Sequence, residues 1–267
     1  MNTLNKIIQQ KKKHVEEVSE LYPIKLLEKS IYYNSKTVSL KDYVIRNDKS
    51  GIIAEIKKKS PSKGIINNFI DIEKVSIGYM QAGASAISVL TDEPFFGGKN
   101  EDLIKARNHN FCPILRKDFI ISEYQIIESR SIGADAILLI AAVLTKEEIN
   151  QFTSLSHSLG MEVLLEIHSI EELEKISSSN NIIGINNRNL GSLAIDKNNS
   201  LSLFPYIKTF EVKISESGIE TPDDVNLLRS IGFNGFLIGS KFMKHSQPHV
   251  ACKQFIDELN LKQMTYA

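Results

Sequence analysis

Glu55 and Lys57 stand two residues apart at the end of an apolar run, within the stretch GIIAEIKKKSPSKG of residues 51–64. In a strand, alternate side chains face opposite sides. Ile52, Ala54 and Ile56 then form one apolar face, suited to covering helices. Ile53, Glu55 and Lys57 share the other. A carboxylate and an ammonium on one face of an apolar strand are costly unless they are paired or used. Ser60-Pro61-Ser62 ends the strand, because proline has no N–H and restricts the residue before it. A solvated basic loop or a lysine-rich nucleic-acid patch would account for the lysines. It would not account for charges alternating within an apolar strand.

Similar groups recur downstream, each just after a short apolar run. They are Thr91-Asp92 with Phe95-Phe96, then Arg116-Lys117-Asp118, Glu166, and Asn186-Asn187-Arg188-Asn189. Ser215-Glu216-Ser217-Gly218 and Gly239-Ser240 close the series. Lysines beside carboxylates are suited to proton transfer. Gly218, Gly239 and Ser240 suit an anion, since glycine lets a backbone N–H approach closely and serine adds a donor. A short helix beginning at Ser240-Lys241 would aim its free N–H groups at the same point, and Arg188 could reach it. Taken singly, each has a plainer reading: a surface turn at Lys117, a local salt bridge at Glu166, an asparagine-rich turn at 186–189, core packing for Phe95-Phe96, and tight turning for the glycines.

The elements that would position these groups form a regular alternation. Strands are expected at 51–56, 86–90, 113–116, 136–140, 162–166, 182–185, 211–215 and 235–238. Helices are expected at 71–82, 101–109, 122–132, 145–159, 169–178, 199–209, 221–231 and 248–259. Asp71, Ser122, Thr145, Ser169 and Thr221 can cap helix N-termini, and TKEE at 145–148 and SIEE at 169–172 read as capping boxes. Gly83, Gly133, Gly160 and Gly232 stand where helices should stop. This rhythm fits a closed (β/α)₈ TIM barrel, in which the C-terminal strand ends build the active site. All but the fourth strand would place polar groups on that rim. The competing open, doubly wound sheet usually carries a glycine-rich fingerprint after its first strand, where Lys and Pro stand here. Residues 1–48 lack the rhythm and read as an N-terminal helical extension of one barrel domain spanning 1–267. Residues 4–20 form its main helix, with Leu4, Ile7, Ile8, Val15 and Val18 as the apolar stripe and a basic patch from Lys11 to Lys13. A second short helix is expected around Leu26, Leu27, Ile31 and Tyr32.

Composition narrows the function. Lys+Arg and Asp+Glu number 32 each, so no global field draws nucleic acid or an anionic membrane, and any anion site must be local. No apolar run approaches the roughly 18 residues of a spanning helix. The N-terminus lacks a signal-peptide core, so a cytoplasmic location is expected. Cys112 and Cys252, the only cysteines, have no metal-like spacing and read as free, buried thiols. No metal site or nucleotide fingerprint is evident.

The segments AEIKKKSPSKG, SVLTDEPFFGG, PILRKDFI, YQIIESRSIGADAILLI, EIH, GINNRNL, ISESGI and FLIGS, in this order over about residues 51–245, resemble the indole-3-glycerol phosphate synthase family. The resemblance implies a (β/α)₈ barrel with an N-terminal extension of this length. It implies a carboxy-lyase of tryptophan biosynthesis that needs no cofactor or metal. The reaction it implies closes the ring of 1-(2-carboxyphenylamino)-1-deoxyribulose 5-phosphate, with loss of carbon dioxide and water, to give indole-3-glycerol phosphate. By motif position Lys117 resembles the general acid, Glu166 its acid–base partner in dehydration, and Lys57 the lysine at the substrate carboxylate. Glu55 would orient and balance the lysines, and Asn186 would hold a substrate hydroxyl. Ser60, Arg188, Gly218, Gly239 and Ser240 match phosphate- or substrate-binding positions. Phe96 matches an aromatic neighbour of the anthranilate ring, and Ser217 a further substrate contact. The partner implied is a small sugar phosphate. The chain is expected as a monomer or weak homodimer, open to contact with other enzymes of the tryptophan pathway and carrying no fused second barrel. Lys99 departs from the small polar residue common in the family, which touches only the second loop. Ser60 to Phe69 is expected to close as a lid.

Two other classes compete. A Schiff-base aldolase would also use a strand-end lysine, Lys117 or Lys57. A catalytically inert phosphate-binding or scaffold protein would keep Gly239-Ser240 but have no need of Lys117 and Glu166.

Overall fold

A computed structural model describes residues 3–207 and 211–266. Eight parallel strands close into a barrel: β1 (Ile52–Ile56), β2 (Ala86–Leu90), β3 (Ile114–Lys117), β4 (Ala136–Ile140), β5 (Glu162–Ile167), β6 (Ile182–Asn186), β7 (Val212–Glu216) and β8 (Gly235–Ile238). Each pairs with the next in sequence, and β8 pairs with β1, placing Ile52 opposite Phe236. The TIM barrel expected from the alternation is therefore the fold, and each strand lies within a residue or two of its expected span.

The alternation produces two apolar layers. Ile52, Ala54 and Ile56 face outward and pack in one core with Val75 and Tyr79 of the helix Ile72–Gln81. Ile53 faces inward and joins Leu115, Leu138, Leu164, Ile214 and Leu237 in the barrel interior. Burying a side chain of this size contributes about 1.5–3 kcal/mol, so inverting a strand's register is strongly disfavoured.

The connecting helices start mostly where their caps stand. Asp71, Ser122, Thr145 and Thr221 accept hydrogen bonds from first-turn N–H groups, and Thr145 and Glu148 form the expected reciprocal box. Ser169 does not. Its segment is a short 3₁₀ turn, Ile170–Lys175, instead of the helix expected at 169–178. Glu172 takes the N–H of His168 at 2.7 Å in place of the N–H of Ser169, and the box is not made. The helix expected at 199–209 runs from Asn198 to Leu203 and continues as a 3₁₀ turn to Tyr206. Residues 208 and 209 lie outside the described residues.

The N-terminal segment meets both ends of the barrel. Around residues 37–45 it covers the N-terminal ends of the strands. Val38 N donates to Asp135 Oδ1 at 2.9 Å, and Ser39 Oγ donates to Glu162 Oε1 at 2.7 Å. Val44 packs with the interior cluster. The helix Thr3–Leu21 instead reaches the C-terminal side. Here one expectation is corrected: Lys11 does not belong to a solvated basic patch. It is buried, with Nζ 2.8 Å from Asp92 and 2.7 Å from Asp118. Four residues from Ile7 and four from Val15, it occupies the apolar stripe itself.

Candidate active site

Lys117, Glu166, Asn186 and Glu216 each lie an even number of residues beyond an inward-facing apolar residue: Leu115, Leu164, Ile182 and Ile214. The same alternation that fills the barrel therefore aims these four polar side chains at its mouth. Glu55 follows Ile53 on β1 by the same rule, and Lys57, just past the strand, forms an ion pair with it.

Lys117 Nζ lies 2.8 Å from Glu166 Oε2 and 3.0 Å from Glu216 Oε2. Asn186 Nδ2 donates to the same Glu166 oxygen at 3.1 Å. His168 Nε2 stands 3.3 Å from the other Glu166 oxygen. Burial opposes charge on Lys117, but Glu166, Glu216 and Glu55 outweigh it and hold its pKa well above the usual lysine range. Burial also opposes charge on Glu166; Lys117 and His168 overcome it and hold this carboxyl well below its usual range. Glu216 moves the other way. Burial is the main cause, Lys117 opposes it, and the nearby charge of Glu166 adds to it, raising the group to about 8. The centre thus favours the charged forms of Lys117 and Glu166 and disfavours that of Glu216.

Two glycines make room for these acids. A Cβ on Gly239 would overlap Oε1 of Glu55, and one on Gly184 would overlap Oε1 of Glu216. Gly239 is therefore required by close packing, beyond any role at an anion site.

The mouth of the barrel is a cavity of about 140 Å³. The structure brings Glu55, Lys57, Phe96, Lys117, Glu166, Asn186, Arg188, Ser217, Gly218, Gly239 and Ser240 to its wall. Ser60 is the exception among the expected site residues. It lies in a small hairpin pairing Lys59–Ser60 with Gly64–Ile65, where its Oγ accepts from the N–H of Lys63 at 3.2 Å. The hairpin is tied to the opposite rim, because Arg188 Nη1 donates to Ser62 Oγ at 3.2 Å. Arg188 is aimed by its own turn: its N–H donates to Asn186 Oδ1 at 2.9 Å, and Nη1 also donates to Leu193 O at 2.8 Å. Ser240 opens the short helix Ser240–Met243, as expected.

The wall carries cationic and apolar groups together. Arg188, Lys63 and Lys241 gather cations near Gly218, Gly239 and Ser240. Phe96, Leu190 and Ile195 add apolar surface to the same cavity, Ile195 directly against Gly218. Phe96 is half-buried, its ring 6.1 Å from that of Phe119. A molecule with an anionic group and an apolar surface matches such a lining, which also holds an ammonium and acids.

Glu216 has no expected role on the rim, although the series Val212, Ile214, Glu216 points it inward as clearly as Leu164 points Glu166. His168, whose ring is buried against Glu166, has none either. The buried charge at Asp118 extends the site backward, since Asp118 also meets Arg116 at 3.3 Å and Thr91 at 2.6 Å.

Comparison with known proteins follows the same line. A family model described as indole-3-glycerol phosphate synthase matches residues 4–255. The indole-3-glycerol phosphate synthase of Bacteroides thetaiotaomicron is 46% identical, over 95% of this chain and 97% of its own. That of Carboxydothermus hydrogenoformans is 40% identical, over 92% and 96%. Among solved structures, the tryptophan synthase alpha subunit of Legionella pneumophila superposes with a TM-score of 0.59 at 14% identity, covering 83% of this chain and 97% of that one. At that identity the likeness speaks for the barrel alone.

Proposed function

The chain belongs to the indole-3-glycerol phosphate synthase family, a carboxy-lyase family of tryptophan biosynthesis, and from that premise we propose that the rim groups close and aromatise an indole ring. The substrate is 1-(2-carboxyphenylamino)-1-deoxyribulose 5-phosphate. The observation that carries the residue roles is the Lys117 ammonium, 2.8 Å from Glu166 and 3.0 Å from Glu216 at the centre of the cavity.

The ring carbon bearing the carboxylate attacks the ketose carbonyl, forming the new carbon–carbon bond. The carbonyl oxygen becomes an alkoxide, and Lys117 protonates it. An alkoxide is a stronger base than an amine, so the transfer is favourable even from an ammonium that its neighbours stabilise. The carbon–carboxylate bond then breaks and carbon dioxide leaves, with its electron pair returning to the ring. The new hydroxyl finally departs as water while the adjacent carbon loses a proton, and Glu166 serves this acid–base step. Lys57 faces the carboxylate before it leaves, Glu55 balances the lysines, and Asn186 holds a sugar hydroxyl. Arg188, Gly218, Gly239 and Ser240 take the phosphate, and Ser60, off the cavity wall in its hairpin, has no part in this arrangement. Phe96 takes the aromatic end, and Ser217 makes a further substrate contact. Holding both ends of a flexible substrate also converts an encounter into an internal reaction.

The electrostatics count against a Schiff base at Lys117. A lysine that attacks a carbonyl must be a free amine, and such lysines have depressed pKa values. Three carboxyl neighbours push Lys117 the opposite way.

The test is a fluorescence assay for indole emission on adding the substrate, with Lys117→Ala and Glu166→Gln alongside. Turnover by the native chain with a loss of about 10²–10⁴ in each variant is the expected result. No turnover from folded native protein overturns the function. Unimpaired Lys117→Ala moves the acid elsewhere, Lys57 first.

A further inference from the structure

His168 is a buried titratable group that the reaction above does not use. It follows Glu166 by two residues, at the end of β5 (Glu162–Ile167). Its ring lies between two carboxylates. Nε2 stands 3.3 Å from Glu166 Oε1, and Nδ1 stands 3.6 Å from Glu172 Oε2. Among the described residues neither ring nitrogen makes a hydrogen bond, so both contacts are ion-pair approaches. Glu172 is fixed in turn, because the same oxygen accepts the backbone N–H of His168 at 2.7 Å. Asn199 Nδ2, in the first turn of the helix Asn198–Leu203, ties the strand ends together, donating to the carbonyls of His168 and Asn186 at 3.0 and 2.9 Å.

This geometry selects a protonation state. A neutral imidazole has one donor and one bare lone pair. Between two carboxylates the lone pair would face an anion in a buried site. The imidazolium faces each carboxylate with an N–H. The other charged groups nearby act through Glu166: Lys117 from β3 (Ile114–Lys117) and Glu216 from β7 (Val212–Glu216), with Glu55 near Lys117. Asn186 is neutral.

We propose that His168 is a positioning residue: held as an imidazolium by Glu172, it clamps Glu166 from behind and keeps it an ionised base toward the cavity. The two Glu166 oxygens then have separate tasks. Oε1 is fixed by His168, while Oε2 is presented to Lys117 and Asn186 on the reacting side. His168 moves no proton in this role. Burial opposes its charge, but Glu166 and Glu172 prevail and raise its pKa to about 9, which agrees with the geometry. The proposal rests on Glu166 acting as the acid–base group.

The test measures the pH dependence of kcat/KM for the native enzyme, His168→Gln, Glu172→Gln and Glu166→Gln, with the imidazole nitrogens followed by NMR. An opposite charge at this distance shifts a carboxyl by about 1–3 units. In His168→Gln the acid limb is expected to rise by at least about one pH unit, with a fall in kcat of about tenfold and an unchanged KM. Glu172→Gln shifts the limb the same way by less. NMR at pH 8 should show a protonated His168 in native protein and a largely neutral one in Glu166→Gln. A neutral His168 at pH 7, or an acid limb that stays put in His168→Gln, overturns the proposal. Full activity in Glu166→Gln instead overturns the role of Glu166, a separate failure that the NMR readout does not share.

Discussion

Glu216 Oε2 lies 3.0 Å from Lys117 Nζ, across the barrel mouth from the 2.8 Å contact between the same nitrogen and Glu166. One buried cation therefore serves two buried acids, and their environments push them in opposite directions. Glu166 is held below its usual range and Glu216 is raised to about 8.

Glu216→Gln should separate stability from activity. In the unfolded chain a glutamate ionises near pH 4.3, whereas folded Glu216 resists ionisation until about 8. A carboxyl raised in this way favours folding below the lower value, and that benefit is lost as the pH climbs through the upper one. Glutamine cannot ionise, so it escapes the loss. Urea unfolding should show native and variant equal near pH 4, with the variant ahead by about 2 kcal/mol or more at pH 8. Activity should fall at both values, because Lys117 loses an anchor. Equal stability at both pH values would show that Glu216 is ionised throughout.

Lys11→Met should weaken both the protein and the site. Lys11 neutralises Asp92 and Asp118, and its removal leaves two buried carboxylates short of a cation. Breaking a buried pair from one side costs about 3–5 kcal/mol. Asp118 follows Lys117 directly, while Asp92 caps the short helix that carries Phe96 by accepting the N–H of Phe95 at 2.9 Å. KM for the substrate should therefore rise. The pH sign is opposite to that of Glu216. Burial resists ionisation of Asp118, but Lys11 and Arg116 overcome it and hold its pKa far below the usual range. The stability this gives is present above about pH 4 and drains as the pH falls toward the folded value. The native–variant gap in urea should accordingly narrow below about pH 4, and a constant gap would count against the ion pairs as its source.

The sequence exposed the parts of this arrangement that depend on local rules. Period-two alternation placed Glu55, Lys117, Glu166 and Asn186 on one rim because a filled barrel interior admits only one strand register. Thr145 with Glu148 announced a helix start because that box is closed within four residues. Lys11 and the turn at Ile170–Lys175 were missed for a common reason. Each depends on a partner that local sequence does not rank: Asp92 and Asp118 for Lys11, and the N–H of His168 for Glu172. Propensity alone favours a solvated lysine and a helix in these places, and tertiary contacts override both. Glu216 was legible by alternation, but nothing local shows that it meets a lysine on the opposite wall of the barrel.

Gly239→Ala tests whether the glycine after β8 (Gly235–Ile238) is there for space. A methyl group would overlap Oε1 of Glu55 and push that side chain from Lys57. Overpacking of this kind costs about 1–3 kcal/mol. Turnover should fall with stability. Gly64→Ala is the control: its φ of +64° adds strain, but nothing lies within 4 Å of the new methyl. It should cost about 1 kcal/mol and leave kcat intact. Similar kinetics for both variants would remove the argument from close approach.

Ser217 should show strain retained for a purpose. Its φ is +67°, a left-handed conformation that costs a residue with a Cβ about 1–2 kcal/mol. Its carbonyl is held by Asn187 Nδ2 at 2.9 Å, and it lines the cavity beside Gly218. Glycine adopts this conformation without the penalty. Ser217→Gly should therefore stabilise the fold by roughly 0.5–1 kcal/mol in urea, after allowing for the greater freedom of glycine in the unfolded chain. The same change removes a hydroxyl from the site, so KM should rise by about fivefold, the loss of one hydrogen bond. A gain in stability with KM unaltered would mean that the hydroxyl does not touch substrate. A loss of stability would mean that the Asn187 contact depends on more than the backbone of residue 217.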